Sequence, residues 1–245
     1  MRKTFPQRIK VGTTALRVLY EDNHLLGVFK PAGVLVQGDR TKDETLIDLA
    51  KAYLKEKYKK PGNVFLGLVH RLDRPVSGVV LYARTSKAAS RLTREFVERR
   101  VEKTYFAVVL GEPAEVEGEV VSYIERVHRK ARISRPESER AKEAVLSYRV
   151  LARKSGLSLV ELNPRTGRHH QIRLQLAGIG HPVVGDIKYG SSGVLPDRTI
   201  ALHAGVLVIK HPTKDARVRL SAPPPAVHPW TLFQSTIDSR FESGG

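Results

Sequence analysis

Val69-His70-Arg71-Leu72-Asp73-Arg74-Pro75-Val76-Ser77-Gly78 runs straight into Val79-Val80-Leu81-Tyr82, and the chain changes character twice within twenty residues. The first part is charged and broken by proline, as loops are. Val79 to Tyr82 is β-branched and aromatic, so a strand is predicted there. Ser86 to Arg99 then places Ala89, Leu92 and Phe96 at helical spacing, with Ser86 as the expected N-cap. If this strand–helix step recurred regularly, the fold would be a repeating βαβ array. It does not recur. Upstream lie β-type runs at Leu16 to Tyr20, Leu25 to Phe29 and Val34 to Gln37, followed by one helical stripe in Thr45 to Tyr58 carrying Leu46, Leu49, Ala50, Tyr53 and Leu54. Downstream, strands are expected at Tyr105 to Leu110, Glu119 to Glu125, Ala144 to Ala152, Leu157 to Leu162, Gly205 to Ile209 and Arg217 to Leu220. A third helix is expected to begin after Thr166 and to stop near Gly178 and Gly180. Strands in succession with helices inserted irregularly predict an α+β fold built on a central, largely antiparallel (mixed) sheet.

The 245 residues suffice for one large domain, and 41% hydrophobic residues can build its core. No linker rich in Pro, Gly and Ser separates two halves. The expected organisation is therefore a basic arm at 1–14, a single domain at 15–233 and a frayed tail at 234–245. The longest apolar stretches, such as Val79 to Ala83 and Val206 to Ile209, fall far short of the roughly 20 residues a spanning helix needs. Arg2, Lys3, Arg8 and Lys10 have no apolar segment behind them, so a cytoplasmic location is expected. With no cysteine, the chain has no disulfide, zinc–thiolate site or thiol nucleophile.

Forty-two Lys and Arg against 25 Asp and Glu give a formal charge of +17. Such an excess predicts an extended anionic partner, because a polyanion gains affinity by releasing counterions as its phosphates are neutralised. The charge is concentrated between Arg126 and Lys142, where Arg126, Arg129, Lys130, Arg132, Arg135, Arg140 and Lys142 face only Glu137 and Glu139. That segment is expected to be a loop or hairpin laid against phosphates.

Familiar catalytic motifs are absent. There is no Walker loop, no HExxH and no GxSxG around Ser77, and Gly178, Gly180, Gly185, Gly190 and Gly193 do not form a GxGxxG. His169, His170, His181, His203 and His211 lack ligand spacing and have only Asp186 as a nearby carboxylate, so no metal site is expected. Asp73 stands out by context. Cationic neighbours within about 4–6 Å would keep its carboxylate ionised, which suits a nucleophile or base. The same residues also read as a turn aspartate paired with an arginine.

What separates the two readings is a set of segments in order. Val69-His70-Arg71-Leu72-Asp73 through Ser77-Gly78 is followed by Lys103-Thr104-Tyr105-Phe106-Ala107-Val108-Val109-Leu110-Gly111 and by Arg165-Thr166-Gly167-Arg168-His169-His170-Gln171-Ile172-Arg173. Gly180-His181-Pro182 through Gly185-Asp186 and Tyr189-Gly190 comes next, and Ala201-Leu202-His203-Ala204 with His211-Pro212 closes the series. In this the chain resembles the RluA-type RNA pseudouridine synthases, from about Leu16 to Pro223. It departs from their pattern at Val76, where the family usually has Thr, and at His169, where it has Thr or Ser.

The resemblance implies a pseudouridine-synthase-like fold and an isomerase that converts specific uridines in structured RNA, rRNA or tRNA, to pseudouridine without a cofactor or metal. It implies that Asp73 is the essential carboxylate, that Tyr105 stacks on the target base, and that Arg173 keeps the aspartate ionised and oriented. Arg71 matches the arginine that fills the space left by the flipped base, and Arg168, with Lys188 and the Arg126 to Lys142 segment, is a candidate for phosphate contact. Some family members carry an RNA-binding domain before the catalytic one; this chain reads as a short form without it, acting as a monomer. The competing expectation is an RNA-binding or ribosome-assembly protein that keeps the fold without turnover.

Overall fold

The computed structural model describes residues 8–11, 14–39, 43–127 and 130–242, so Arg2, Lys3 and Arg129 lie outside it. In chain order the elements begin with β1 (Arg8–Val11), β2 (Thr14–Glu21), β3 (Leu25–Lys30), α1 (Leu46–Lys57), β4 (Gly67–Leu68), β5 (Ser77–Ala83) and α2 (Ser86–Val97). They continue with β6 (Glu102–Leu110), β7 (Glu117–Val127), β8 (Lys130–Ser134), β9 (Lys142–Lys154), β10 (Leu157–Pro164) and α3 (Gln171–Gly178). The last are β11 (Leu202–Lys210), β12 (Arg217–Ser221) and α4 (Gln234–Glu242). The chain divides into two compact units, one made of residues through Glu102 with Val206–Ala222, the other of Lys103–Gly205 with the residues from Pro223. The α+β class and the largely antiparallel strand pairing expected from the sequence both hold.

In the first unit β1, β2, β3 and β5 are ordered side by side as antiparallel neighbours, with β4 also on β5 and β12 on β11. Every residue of β5 is buried, which explains its unbroken apolar run. Leu25, Val79, Leu81, Leu207, Ile209 and Leu220 form the core, and α2 seals it with Ala88 and Leu92. Helix α1 buries the five residues of the expected stripe. Its start is fixed by a capping box, in which the Thr45 hydroxyl accepts from the Asp48 N–H and the Asp48 carboxylate accepts from the Thr45 N–H.

Two local expectations are corrected here. The N-cap of α2 is Thr85, whose extended backbone lets its hydroxyl accept from the Ala88 N–H at 3.2 Å; Ser86 is the first helical residue. Val34 to Gln37 is not a strand. The carbonyls of Leu35 and Val36 accept from the Leu46 and Ile47 N–H groups at the start of α1, and the Val34 carbonyl turns to the Lys30 ammonium, so pairing stops at an isolated parallel bridge between Leu35 and Thr45.

In the second unit the strands run β6, β10, β9, β7, β8, all antiparallel to their neighbours. Helix α3 packs Leu174 against Ile124, Ala131 and Ala144, and the Gln175 amide donates to the Val120 and Ala144 carbonyls. The basic segment is the β7–β8 hairpin and the chain leading into β9, with Val127 opposite Lys130. Part of its charge is already paired: the exposed Arg132 lies 2.5 Å from the buried Glu125, which also accepts from the Ser138 hydroxyl. Those two donors outweigh burial and hold the Glu125 carboxyl below its usual range. The tail expected to fray is instead the helix α4 through Glu242, with Ile237 buried.

Candidate active site

Asp73 sits in the loop between β4 and β5, and that loop is built from its backbone outward. Leu72 and Val76 point into the core and anchor it on either side of Asp73. The Val76 N–H donates to the Asp73 carbonyl at 3.1 Å, closing a tight turn over Arg74 and Pro75. Val76 is thus a packing residue, and an apolar side chain suits its 3% exposure. His70 accepts from the Leu81 N–H through Nε2 at 2.9 Å and stacks on Phe96 at 5.0 Å, which fixes the entry to the loop. Accepting at Nε2 requires the neutral ring with its proton on Nδ1.

The far side of the turn is held from β3. The Gly33 N–H donates to the Arg74 carbonyl at 2.8 Å, and Arg74 Nε donates back to the Gly33 carbonyl at 2.9 Å. The end of the Arg74 side chain pairs with Asp43 at 2.7 Å, so it is an exposed bridge to the chain before α1. Beneath the turn lies Lys30, fully buried, its ammonium donating to the carbonyls of Pro31 at 3.0 Å, Val34 at 2.7 Å and Arg74 at 3.1 Å. Three N–H donors meet three carbonyls, the arrangement that suits the charged form. Burial pulls this ammonium down to about 7; the negative charge of Asp73 works to raise it and Arg74 to lower it. A charged neighbour of Asp73 within this unit is thus a lysine 43 positions upstream, which the adjacent arginines of the sequence do not announce. Arg71 is exposed on the same loop.

In the second unit Tyr105 is half-buried on β6, directly opposite Leu162 of β10. Arg173 lies in the first turn of α3 and is buried. Its guanidinium forms a two-pronged pair with Asp186, Nε to Oδ2 at 2.6 Å and Nη2 to Oδ1 at 2.8 Å, and it lies over the Tyr189 ring at 5.0 Å. Two of its five N–H donors are used by Asp186. The segment bearing Asp186 is tied to β6: Leu110 N–H donates to the Pro182 carbonyl, Val184 N–H to the Val108 carbonyl, and His181 Nδ1 lies 3.0 Å from the Leu110 carbonyl. Gly185 precedes Asp186 with φ +87°, and a Cβ there would come within 2.7 Å of the Thr199 carbonyl, so only glycine fits.

The start of α3 is locked to β9. Thr166 donates to the Gln171 side-chain carbonyl at 2.7 Å and accepts from the Val145 N–H at 3.0 Å, while the Gln171 amide donates to the Val145 carbonyl at 3.0 Å. Arg168 is half-exposed there, its N–H on the Gln171 side chain and its Nε on the Glu143 carbonyl. His170 adopts a left-handed backbone at the helix start, stacks on His169 at 3.9 Å and lies 2.6 Å from the Tyr189 hydroxyl. Lys188 places its ammonium 5.4 Å from the Tyr189 ring.

A family model described as RNA pseudouridylate synthase matches residues 24–178. The chain belongs to that family. It is 37% identical over 224 residues to ribosomal large subunit pseudouridine synthase D of Xylella fastidiosa, covering 86% of this chain and 66% of that protein. It is 35% identical over 226 residues to tRNA pseudouridine synthase C of Haemophilus ducreyi, covering 84% of this chain and 90% of the relative. Several relatives are longer; the chain spans 61% of ribosomal large subunit pseudouridine synthase C of Rickettsia conorii. Among solved structures, human RNA pseudouridylate synthase domain containing 4 superposes with a TM-score of 0.73 at 25% identity, covering 90% of this chain and 91% of that one.

Membership in the pseudouridylate synthase family gives the motifs a structural account. Two residues that motif reading left without a role stand out, Lys30 under the Asp73 turn and Asp186 against Arg173. The first could have been found from Lys30-Pro31-Ala32-Gly33, a lysine ending an apolar strand at a Pro-Gly turn. The second stands in the Gly185-Asp186 motif and near histidines, with nothing in the sequence to pair it with Arg173. No described helix is long and apolar enough to cross a membrane.

Proposed function

We propose that this chain isomerises uridine to pseudouridine in structured RNA, with Asp73 as the reactive carboxylate. The reaction balances within the nucleotide: the bond from C1′ to N1 breaks, a bond from C1′ to C5 forms, C5 gives up its proton and N1 gains one. Tyr105 stacks on the base and Arg173 keeps the carboxylate ionised, roles that rest on the family resemblance. Reaching the sugar of a stacked uridine costs a few kcal/mol of unstacking, which contacts to the RNA backbone must offset. Arg71 takes the place of the extruded base, and Arg168 with the exposed cations of the β7–β8 hairpin holds phosphates. Ribosomal or transfer RNA is the substrate class, in keeping with the names of the relatives. The protein acts as a cytoplasmic monomer.

The observation that carries this reading is the caged Asp73 loop. A surface that only binds RNA gains nothing from an acid beside a polyanion, still less from a buried ammonium that holds the carbonyl of the next residue, Arg74. Incubating transfer RNA and ribosomal RNA fragments with the protein, and counting pseudouridine by mass spectrometry, tests the proposal. Pseudouridine at discrete positions supports it. Tight binding with no new pseudouridine in any RNA would favour the non-catalytic alternative.

A further inference from the structure

Helix α4 grips the strand that carries Tyr105, from the face opposite the tyrosine. The chain leading into it buries Trp230 and Phe233, and Ile237 then docks the helix at 1% exposure. Arg240 reaches back to β10 and forms a two-pronged pair with Glu161, Nε to Oε2 at 2.6 Å and Nη2 to Oε1 at 3.0 Å. The next residue, Phe241, packs on Phe106 with ring centres 5.2 Å apart. Glu161 stands directly opposite Phe106, and the following pair in the ladder is Leu162 with Tyr105. Side chains alternate along strands, so Glu161 and Phe106 share the face that α4 covers while Leu162 and Tyr105 share the other.

Packing economy does not explain Glu161. It is 6% exposed on a strand whose neighbours Val160 and Leu162 are wholly buried. Replacing such an ion pair by apolar residues of similar volume is often neutral or stabilising, so the pair adds little to stability. What it adds is geometry. A planar guanidinium meeting both carboxylate oxygens fixes distance and angle together, as an apolar contact cannot. The clamp is tight on its other side as well, because a Cβ on Gly205 would lie 2.5 Å from the Phe106 ring and 3.1 Å from that of Phe241.

We propose that α4 is a positioning element for Tyr105, in which Arg240 and Phe241 act through Glu161 and Phe106 to hold the β6–β10 ladder in register. A shift of one residue in that ladder would turn Tyr105 to the wrong face, and smaller displacements would tilt its ring. The inference rests on the catalytic role proposed for Tyr105, and its test separates the two. Single-turnover pseudouridine formation and RNA affinity are measured for Arg240→Ala, Phe241→Ala and Phe241→Leu, alongside the ¹⁹F resonance of 3-fluorotyrosine placed at position 105 alone. Phe241→Ala leaves no buried charge unpaired, so it keeps the test open if Arg240→Ala fails to fold.

The alanine variants are expected to lose about tenfold in rate, the order of effect that a misplaced catalytic group produces. RNA dissociation constants should stay within about twofold, Phe241→Leu should recover most of the rate, and the resonance at 105 should shift or broaden. Wild-type rates with an unchanged resonance would overturn the inference, as would a rate loss matched by an equal loss of RNA affinity. If the wild-type chain forms no pseudouridine, the proposed function fails, and the resonance still decides whether α4 holds Tyr105.

Discussion

Replacing Lys30 by Met keeps the length of the side chain and removes its charge. Three bonds from the ammonium, to the carbonyls of Pro31, Val34 and Arg74, are lost. Hydrogen bonds to charged groups contribute about 1.5–3 kcal/mol each, roughly 5–9 in all. Against this stands the burial of the charge. The pKa of the ammonium falls from 10.5 to about 7, which is already the balance of burial against every group that favours the charge. The variant loses the bonds and the burial penalty together, so a net destabilisation of no more than about 2 kcal/mol is expected. Turnover should suffer far more, by about 10- to 100-fold. The Arg74 carbonyl keeps only the Gly33 N–H, and Asp73 loses a buried positive neighbour.

The pH dependence has a definite sign. Between about pH 7 and 10.5 the unfolded chain holds the Lys30 proton and the folded chain does not, so this group makes wild-type stability rise with pH across that window. Activity runs the other way, because a neutral amine turns a lone pair on one of three carbonyls and offers Asp73 no charge. Denaturant melts at pH 6, 8 and 10 with single-turnover assays on both proteins read these effects. A Lys30→Met protein with wild-type turnover, or a wild-type protein whose stability difference from it stays flat with pH, would refute the reasoning.

Asp186→Ala should destabilise by about 3–5 kcal/mol in denaturant melts, because Arg173 is left buried without its carboxylate. Asp22 accepts from the His24 and Leu25 N–H groups, from His211 and from the Tyr20 hydroxyl, which together outweigh burial and hold its carboxyl well below the usual range. Asp22→Ala should therefore cost about 2–4 kcal/mol at pH 7, and the gap to wild type should close as pH falls below about 4 in acid melts. Gly185→Ala should lower the melting temperature measurably, since it combines a left-handed backbone with a Cβ 2.7 Å from the Thr199 carbonyl.

Where apolar periodicity ran unbroken, the fold was legible. The α1 stripe and the core strand β5 follow from spacing alone, because burial on one helical face or on both strand faces writes itself into residue type. Val34 to Gln37 misled because its composition is that of a strand, while its carbonyls serve Lys30 and the start of α1. The helix at Gln234–Glu242 was hidden by low hydrophobicity; one buried Ile and two long side chains, Arg240 and Phe241, hold it. The motifs of the family resemblance single out Asp73, Tyr105 and Arg173. Asp186 stands in a motif and Lys30 ends a strand at a Pro-Gly turn, yet neither receives a role from the sequence, because their importance lies in carbonyls and guanidinium groups brought near them only by the fold.

The central claim is that Asp73 makes this chain an RNA-uridine isomerase, and tritium release from C5-labelled uridine in RNA tests it most directly. With wild type, tritium should be released as C5 loses its proton. With Asp73→Asn, which keeps the shape of the side chain and removes its charge, RNA should bind within about twofold of wild type while release falls to background. Release by Asp73→Asn at the wild-type rate would contradict the account.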